Sequence, residues 1–456
     1  MKTTAVILAA GQGTRMRSAV PKVLHPLLGK PMVWYSLEAA QKATGEKPLL
    51  VIGHGAQAVR QAIGEAANFV FQEPQLGTGH ALQQTEPNLR GHTDYVLATT
   101  ADMALFTVET YERLLAAHQD RVIRDPHGCP ITLLSVNCQE SRGFGRVVRN
   151  PDGEVQAVIE ENQATPEVLA LQELNTSVYC FTADWLWNAL PRIPLSPKDE
   201  YYLTDLIGIA VADGFSVQGV SVADPCEAIG INTRLHLAEA EAILRQRINQ
   251  TWMLDGVSLI DPNTTYIEPD VIIGQDTVIW PNTFLHGATR IGEGCTIGPN
   301  SILRDTQLGD RCRVLSSVAE QAVVEDDVDI GPFAHLRKGA HLAHGVHVGN
   351  FGEVKNSYLG PGTKMGHFSY LGDTTLGVGV NIGAGTITCN YDGKRKNKTE
   401  IGDHAFIGSD TMLIAPVTVG EGAITGAGSV VTKNVPPHSL AVGMPARAIR
   451  KLKDSD

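Results

Sequence analysis

Two stretches of this 456-residue chain carry residue types at spacings that could do chemistry. The first is Leu8-Ala-Ala-Gly-Gln-Gly-Thr-Arg-Met16, followed closely by Pro21-Lys22. Glycines at 11 and 13 permit a turn whose backbone N–H groups approach phosphate, and Arg15 and Lys22 add fixed positive charge at the same place. A Gly-x-Gly pair after a strand is by itself only a turn; the charge beside it is what points to an anion. The second stretch is Lys364-Met-Gly-His-Phe-Ser-Tyr-Leu-Gly-Asp373, continuing at Asn381-Ile-Gly-Ala-Gly-Thr-Ile-Thr-Cys-Asn-Tyr-Asp-Gly393. His367 within it can act as a base near neutral pH. The chain has 15 histidines, and a single one is more often a surface or hydrogen-bonded residue, so its surroundings must decide.

The elements that position these residues differ between the two halves. Up to about residue 118, β-rich runs at Thr4–Ala10, Leu49–Gly53, Phe69–Phe71 and Tyr95–Thr99 alternate with helical patterns at Met32–Thr44, Ala56–Ala66 and Val108–His118. That alternation predicts a mostly parallel sheet covered on both faces, with ligands at the carboxyl ends of its strands. Glycine then becomes denser, with 18 in residues 1–250 and 28 in residues 251–456, about 14% of the later segment against a usual level of about 7%. There the aliphatic residues recur every six positions: Ile273, Ile279, Leu285, Ile291, Ile297 and Leu303, then Val324, Ile330, Leu336, Leu342, Val348 and Val354. A period of six is neither helical nor a plain strand; it is the hexapeptide signature of a parallel β-helix, in which each turn needs stacked neighbours to complete its core. Between the halves, Arg234–Gln250 lacks Gly and Pro and has Leu237, Ala240, Leu244 and Ile248 at helical spacing, which predicts a connecting helix. The expected division is 1–232, a linker helix over 233–252, and 253–456.

Composition narrows the function. Against 37 Lys and Arg stand 49 Asp and Glu, a net charge of −12, which argues against binding nucleic acid or an anionic membrane through bulk charge. No apolar run reaches the about 18 residues of a spanning helix, and the N-terminus does not read as a signal peptide. Seven scattered cysteines without a C-x-x-C pair favour reduced thiols and a cytoplasmic location over a disulfide framework or zinc.

The string L-A-A-G-x-G-T-R-M-x(4)-P-K resembles the signature of sugar-phosphate nucleotidylyltransferases. Gln72-Glu-Pro-Gln-Leu-Gly-Thr-Gly-His-Ala81, Gly143-Phe-Gly-Arg146, Val158-Ile-Glu160, Leu174-Asn-Thr176, Glu200-Tyr-Tyr-Leu-Thr-Asp205 and Gly230-Ile-Asn232 follow in order. Together with the hexapeptides they make nearly the whole chain similar to the bacterial bifunctional N-acetylglucosamine-1-phosphate uridylyltransferase/glucosamine-1-phosphate acetyltransferase family. The resemblance implies a Rossmann-like α/β nucleotidylyltransferase domain, a left-handed β-helix and a homotrimer. It implies acetylation of glucosamine 1-phosphate by acetyl-CoA, then transfer of UMP from UTP to N-acetylglucosamine 1-phosphate with Mg²⁺. The product, UDP-N-acetylglucosamine, would feed cell-envelope polymers.

Residue by residue, the resemblance implies that Leu8, Ala9, Ala10, Gly11 and Lys22 hold the nucleotide phosphates and that Arg15 stabilises the leaving pyrophosphate. Gln72, Gly77 and Thr78 would read uracil and ribose, with Thr100, Ala101 and Asp102 on the same nucleotide. Gly145, Glu160 and Asn175 would hold the sugar, and Asp102 and Asn232 the Mg²⁺. In the second domain His367 would be the general base. Arg337, Lys355, Tyr370 and Asn381 would hold glucosamine 1-phosphate, and Ala384, Asn390, Tyr391, Ser409 and Ala427 acetyl-CoA.

Two departures stand out. Where the family has Gly-Asp-x-Pro, this chain reads Ala101-Asp-Met-Ala104, and a methyl group where a glycine backbone meets ligand would cost affinity. Where the family has Ala-Ile-x-Arg, the chain reads Ala441-Val-Gly-Met-Pro-Ala-Arg447, so Arg447 is the candidate for the missing charge at acetyl-CoA. The basic run Lys394–Lys398 breaks the six-residue register and is expected to leave the wall as a loop. Other readings are a single-activity nucleotidylyltransferase with a structural β-helix and a non-catalytic regulatory subunit. His367 with Lys355 and Tyr370 argues against the former, and Arg15, Lys22, Asp102 and Asn232 against the latter.

Overall fold

A computed structural model describes residues 1–125 and 128–451. The chain divides into two compact units, residues 1–244 and 245–456, and the division falls within the helix Arg234–Leu254. That helix is the connecting helix expected from the sequence, one turn longer at its C-terminal end.

In the first unit the strands lie in the order Val217–Ser221, Ile131–Asn137, Glu173–Thr182, Tyr95–Thr100, Thr3–Leu8, Leu49–Ile52 and Asn68–Phe71. Neighbours are parallel except for Glu173–Thr182, which runs antiparallel to both Tyr95–Thr100 and Ile131–Asn137. Thr3–Leu8 is buried along its whole length, as a central strand covered on both faces must be. The helix Met32–Thr44 begins after Pro31 and ends at Gly45 in the left-handed region (φ 70°), the usual asymmetry of helix ends. A hairpin, Arg146–Arg149 with Val155–Ile159, branches from the antiparallel strand.

The second unit is a parallel β-helix of three sheets. Along one sheet Val278 pairs with Thr296, Thr296 with Arg313 and Arg313 with Asp329, so a turn of the coil takes three short segments, a full three hexapeptides in the first of these steps and one or two residues fewer in the next two. The repeating aliphatic residues, among them Ile279, Leu285, Ile297, Ile330, Leu336, Met365 and Leu413, are sealed inside the coil and form one continuous core. Asn381 pairs with Phe406, a longer step than elsewhere; the extra residues form the segment that carries Lys394–Lys398, with only an isolated bridge from Tyr391 to Lys396. The basic run therefore leaves the wall as expected. The seven cysteines are all free. Among the described residues no helix is long and apolar enough to cross a membrane.

Candidate active sites

The first site forms where Thr3–Leu8 and Tyr95–Thr100 end side by side. Ala101 N–H donates to the Leu8 carbonyl (3.0 Å) and Ile231 N–H to the Asp102 carbonyl (3.0 Å), so the loops after both strands and the Gly230–Asn232 segment are tied together. They wall a cleft of about 530 Å³. Leu8 to Gly11, Arg15, Lys22, Gln72, Gly77, Thr78, Thr100 to Asp102 and Asn232, all singled out in the sequence, line it.

Lys22 is the centre of this cleft. Its Nζ donates to Asp102 Oδ2 at 2.5 Å and to Asn232 Oδ1 at 2.7 Å. Arg15 donates from Nη2 to the same Asn232 Oδ1 at 2.8 Å, and Thr100 Oγ1 to Asp102 Oδ1 at 2.6 Å. Gly13 sits in the left-handed region (φ 62°), and a Cβ there would overlap the Lys22 side chain; glycine is what lets Lys22 pass. Burial pushes the Asp102 carboxyl up, but the Lys22 charge and hydrogen bond and the Thr100 hydroxyl outweigh it and hold it below its usual range. Two hard oxygens meeting on one cation make a donor set that fits Mg²⁺, an ion that takes few protein ligands beside substrate phosphates. Among the described residues no group of three or more His, Cys, Asp or Glu is disposed to hold a metal.

Ala101 is fully buried and belongs to the apolar core with Ala5, Ile7 and Met103. Its methyl group packs in that core, while the residue also lines the cleft. Gly145, Glu160 and Asn175 do not line the cleft and form an adjoining group. Asn175 N–H donates to the Gly145 carbonyl (2.9 Å), and the buried Asn175 amide donates to the Tyr179 hydroxyl (2.7 Å). Thr204 Oγ1 donates to Glu160 Oε1 (3.0 Å); burial raises the Glu160 pKa, that hydrogen bond opposes the rise, and Asp205 and Glu200 add to it. Gln12, Gln75 and Glu200 also line the cleft and were not singled out, although Gln75 and Glu200 lie inside motifs visible in the sequence. Their side chains carry no local signature; only the docking of the Glu200–Asp205 segment on Leu76–Gly79, through Tyr201 N–H to the Leu76 carbonyl and Gly79 N–H to the Tyr201 carbonyl (both 2.8 Å), brings Glu200 in.

The second site lies at one corner of the β-helix. His367, Ala384, Ser409 and Ala427 each follow the glycine that ends a strand of the twelve-stranded sheet, one per turn of the coil. The corners are stitched by Gly385 N–H to the Phe368 carbonyl (2.7 Å), Asp410 N–H to Ala384 (2.7 Å) and Gly428 N–H to Ser409 (2.8 Å). Four candidates thus occupy one column, with exposed His367 at one end. Asn381 lies on the strand entering the column. Across the corner, on the ten-stranded sheet, Tyr370 pairs with Glu353, and Arg337 Nη1 donates to Glu353 Oε1 (2.8 Å). Lys396, from the basic loop, comes beside Lys355 and with Arg337 lowers the Lys355 pKa. Asn390 Nδ2 donates to Asp373 Oδ2 (2.5 Å), close to the Tyr370 hydroxyl at Gly372. Tyr391 is exposed on the loop, its hydroxyl on the Gly393 carbonyl. Arg447 lies in the terminal hairpin opposite Val442, which borders Gly426 at the end of the column.

The fold and the two sites define a nucleotidyltransferase domain joined to a hexapeptide transferase domain. Residues 5–162 match the MobA-like NTP transferase domain, residues 288–315 the hexapeptide repeat of succinyl-transferase, and residues 398–433 the bacterial transferase hexapeptide (six repeats). The chain is 46% identical over 444 residues to the bifunctional protein GlmU of Trichlorobacter lovleyi, covering 96% of this chain and 95% of that one. It is 44% identical over 455 residues to that of Heliobacterium modesticaldum (100% and 97%) and 45% over 452 residues to that of Geobacillus thermodenitrificans (99% and 97%). The chain belongs to the bifunctional GlmU family.

Proposed function

We propose that this chain is a two-site enzyme that acetylates glucosamine 1-phosphate with acetyl-CoA and then couples the product to UTP, forming UDP-N-acetylglucosamine and pyrophosphate. The observation that carries this reading is that each unit has its own set of cations suited to a phosphate: Arg15 and Lys22 in the cleft, Arg337 and Lys355 beside the corner column.

At the β-helix, Arg337, Lys355, Tyr370 and Asn381 hold the sugar phosphate. His367 takes the proton from its C2 amine. The nitrogen attacks the thioester carbonyl, the C–N bond forms, and the C–S bond breaks to release coenzyme A. Exposure of His367 keeps it open to two substrates at once. Ala384, Asn390, Tyr391, Ser409 and Ala427, with Arg447, line the path of acetyl-CoA.

In the cleft, the Leu8–Gly11 backbone and Lys22 hold the UTP phosphates while Gly145, Glu160 and Asn175 orient N-acetylglucosamine 1-phosphate. A phosphate oxygen of the sugar attacks the α-phosphorus in line. As the new P–O bond forms, the bond to the β-phosphate oxygen breaks, and Arg15 meets the charge that leaves with pyrophosphate. Mg²⁺ held by Asp102 and Asn232 would offset charge on the phosphates. Lys22, which spans those two residues, exchanges its carboxylate partner for phosphate. No protein nucleophile is required. The same reading carries a homotrimer and a cytoplasmic location, the former checked by sedimentation of the purified chain.

The test is to assay the two half-reactions separately. Thiol release from acetyl-CoA with glucosamine 1-phosphate, and pyrophosphate release from UTP with N-acetylglucosamine 1-phosphate and Mg²⁺, are both expected. Pyrophosphate release without thiol release would reduce the β-helix to a scaffold, and the reverse would remove the role given to the cleft.

A further inference from the structure

Gln72 leaves the strand Asn68–Phe71 and lines the nucleotide cleft with its side chain almost wholly buried. Its amide nitrogen makes two contacts inside the protein: Nε2 donates to the Gly77 carbonyl at 3.0 Å and faces His80 Nδ1 at 3.1 Å. A backbone carbonyl only accepts, so the nitrogen end of the amide must point at Gly77. The second N–H of the same nitrogen then lies toward His80, and it is satisfied only if Nδ1 carries a lone pair and the imidazole proton sits on Nε2. Both amide hydrogens are used. What Gln72 has left for the cleft is Oε1, an acceptor.

An acceptor at that place distinguishes pyrimidines by their Watson–Crick edge. Uracil offers N3–H, a donor. Cytosine offers N3 as a lone pair, and two acceptors facing each other in a largely buried site leave both unsatisfied. A free glutamine amide could turn over and serve either base. The neighbours decide which end it shows.

We propose that His80 is a positioning residue for base recognition: its Nδ1 lone pair, with the Gly77 carbonyl, locks the Gln72 amide with Oε1 toward the cleft, so that the site selects uracil over cytosine. The inference rests on the uridylyltransferase reading and deepens it. His80 touches no substrate in this scheme; it acts through Gln72.

The test is calorimetric binding of UTP and of CTP to the full-length chain, to His80→Ala and to His80→Asn, with melting temperature and thiol release followed as measures of intact folding. His80→Ala removes the acceptor, and the ratio of UTP to CTP affinity should fall by about tenfold. His80→Asn can return an oxygen to the Nδ1 position and should restore most of the ratio. A ratio unchanged in His80→Ala overturns the inference alone. So does a ratio lost in both variants while the melting temperature holds. A wild-type chain that binds both nucleotides equally would overturn the uridylyltransferase reading and the inference together.

Discussion

Lys22 and Asp102 stand eighty positions apart in the chain and 2.5 Å apart in the fold, with both side chains mostly shielded from solvent. Lys22 holds the Asp102 carboxyl below its usual range. The cation that would meet phosphate is thus held in place, before any nucleotide arrives, by the carboxylate that would meet the metal. Replacing Lys22 by Ala should destabilise the first unit by about 1.5–3 kcal/mol, because Asp102 loses a charge-assisted hydrogen bond in a shielded place. Pyrophosphate release should be lost and thiol release kept. Chelation of divalent metal should give the same split in activity, and pyrophosphate release that survives chelation would separate Asp102 and Asn232 from the metal.

The buried methyl of Ala101 leads to a different expectation from the sequence alone. If it serves the core, Ala101→Gly should lower stability by about 1–2 kcal/mol through lost burial and added chain freedom, and should leave the KM for UTP unchanged. A marked fall in that KM would show that the methyl meets ligand.

His367 is exposed at its corner, and no side-chain hydrogen bond ties it down among the described residues, so its removal should not disturb the coil. His367→Ala should slow thiol release by about a hundredfold or more while pyrophosphate release and melting temperature hold. A loss below about tenfold would assign the proton to another group.

His118 is buried between Thr132 Oγ1 (2.9 Å from Nδ1) and Thr182 Oγ1 (3.2 Å from Nε2), with Tyr95 edge-on at 5.1 Å. Burial lowers its pKa from 6.5 to about 4. The unfolded chain therefore takes up a proton in that interval when the folded chain does not, and stability must fall as pH drops from about 6.5 toward 4. The loss from this one group is about 3 kcal/mol, of which His118→Gln should be free. Denaturant unfolding of the wild type and the variant at pH 7 and pH 4.5 measures it; parallel losses in both would place the sensitivity elsewhere.

What the sequence made legible follows the range of the interactions. The helix Met32–Thr44 is bounded by its own neighbours, Pro31 and Gly45, and can be read locally. The six-residue repeat is local as well, and every aliphatic residue from Ile279 to Leu303 at that spacing is buried. The strand Glu173–Thr182 is different. It lies antiparallel in the middle of the sheet, its pairing with Ile131–Asn137 shifts between Asn175 and Tyr179, and Ser177 within it has φ 60°. None of that is encoded by nearby residues. The sites divide likewise: Arg15 and Lys22 declare themselves by charge beside a glycine turn, and the corner column follows from the repeat once His367 is placed in it. Glu200 carries no pattern of its own; its place depends on the docking of its segment on Leu76–Gly79, more than a hundred residues earlier.

The long step from Asn381 to Phe406 has an evolutionary corollary. Both strands still pair in register with the turns before and after, so the added segment is absorbed without any change in the aliphatic stack. Inheritance can therefore work on such a coil as on a rack with exchangeable fittings. The wall keeps its pairing on both sides of the step, so a loop of different length or charge can be carried at one corner without rebuilding the stack.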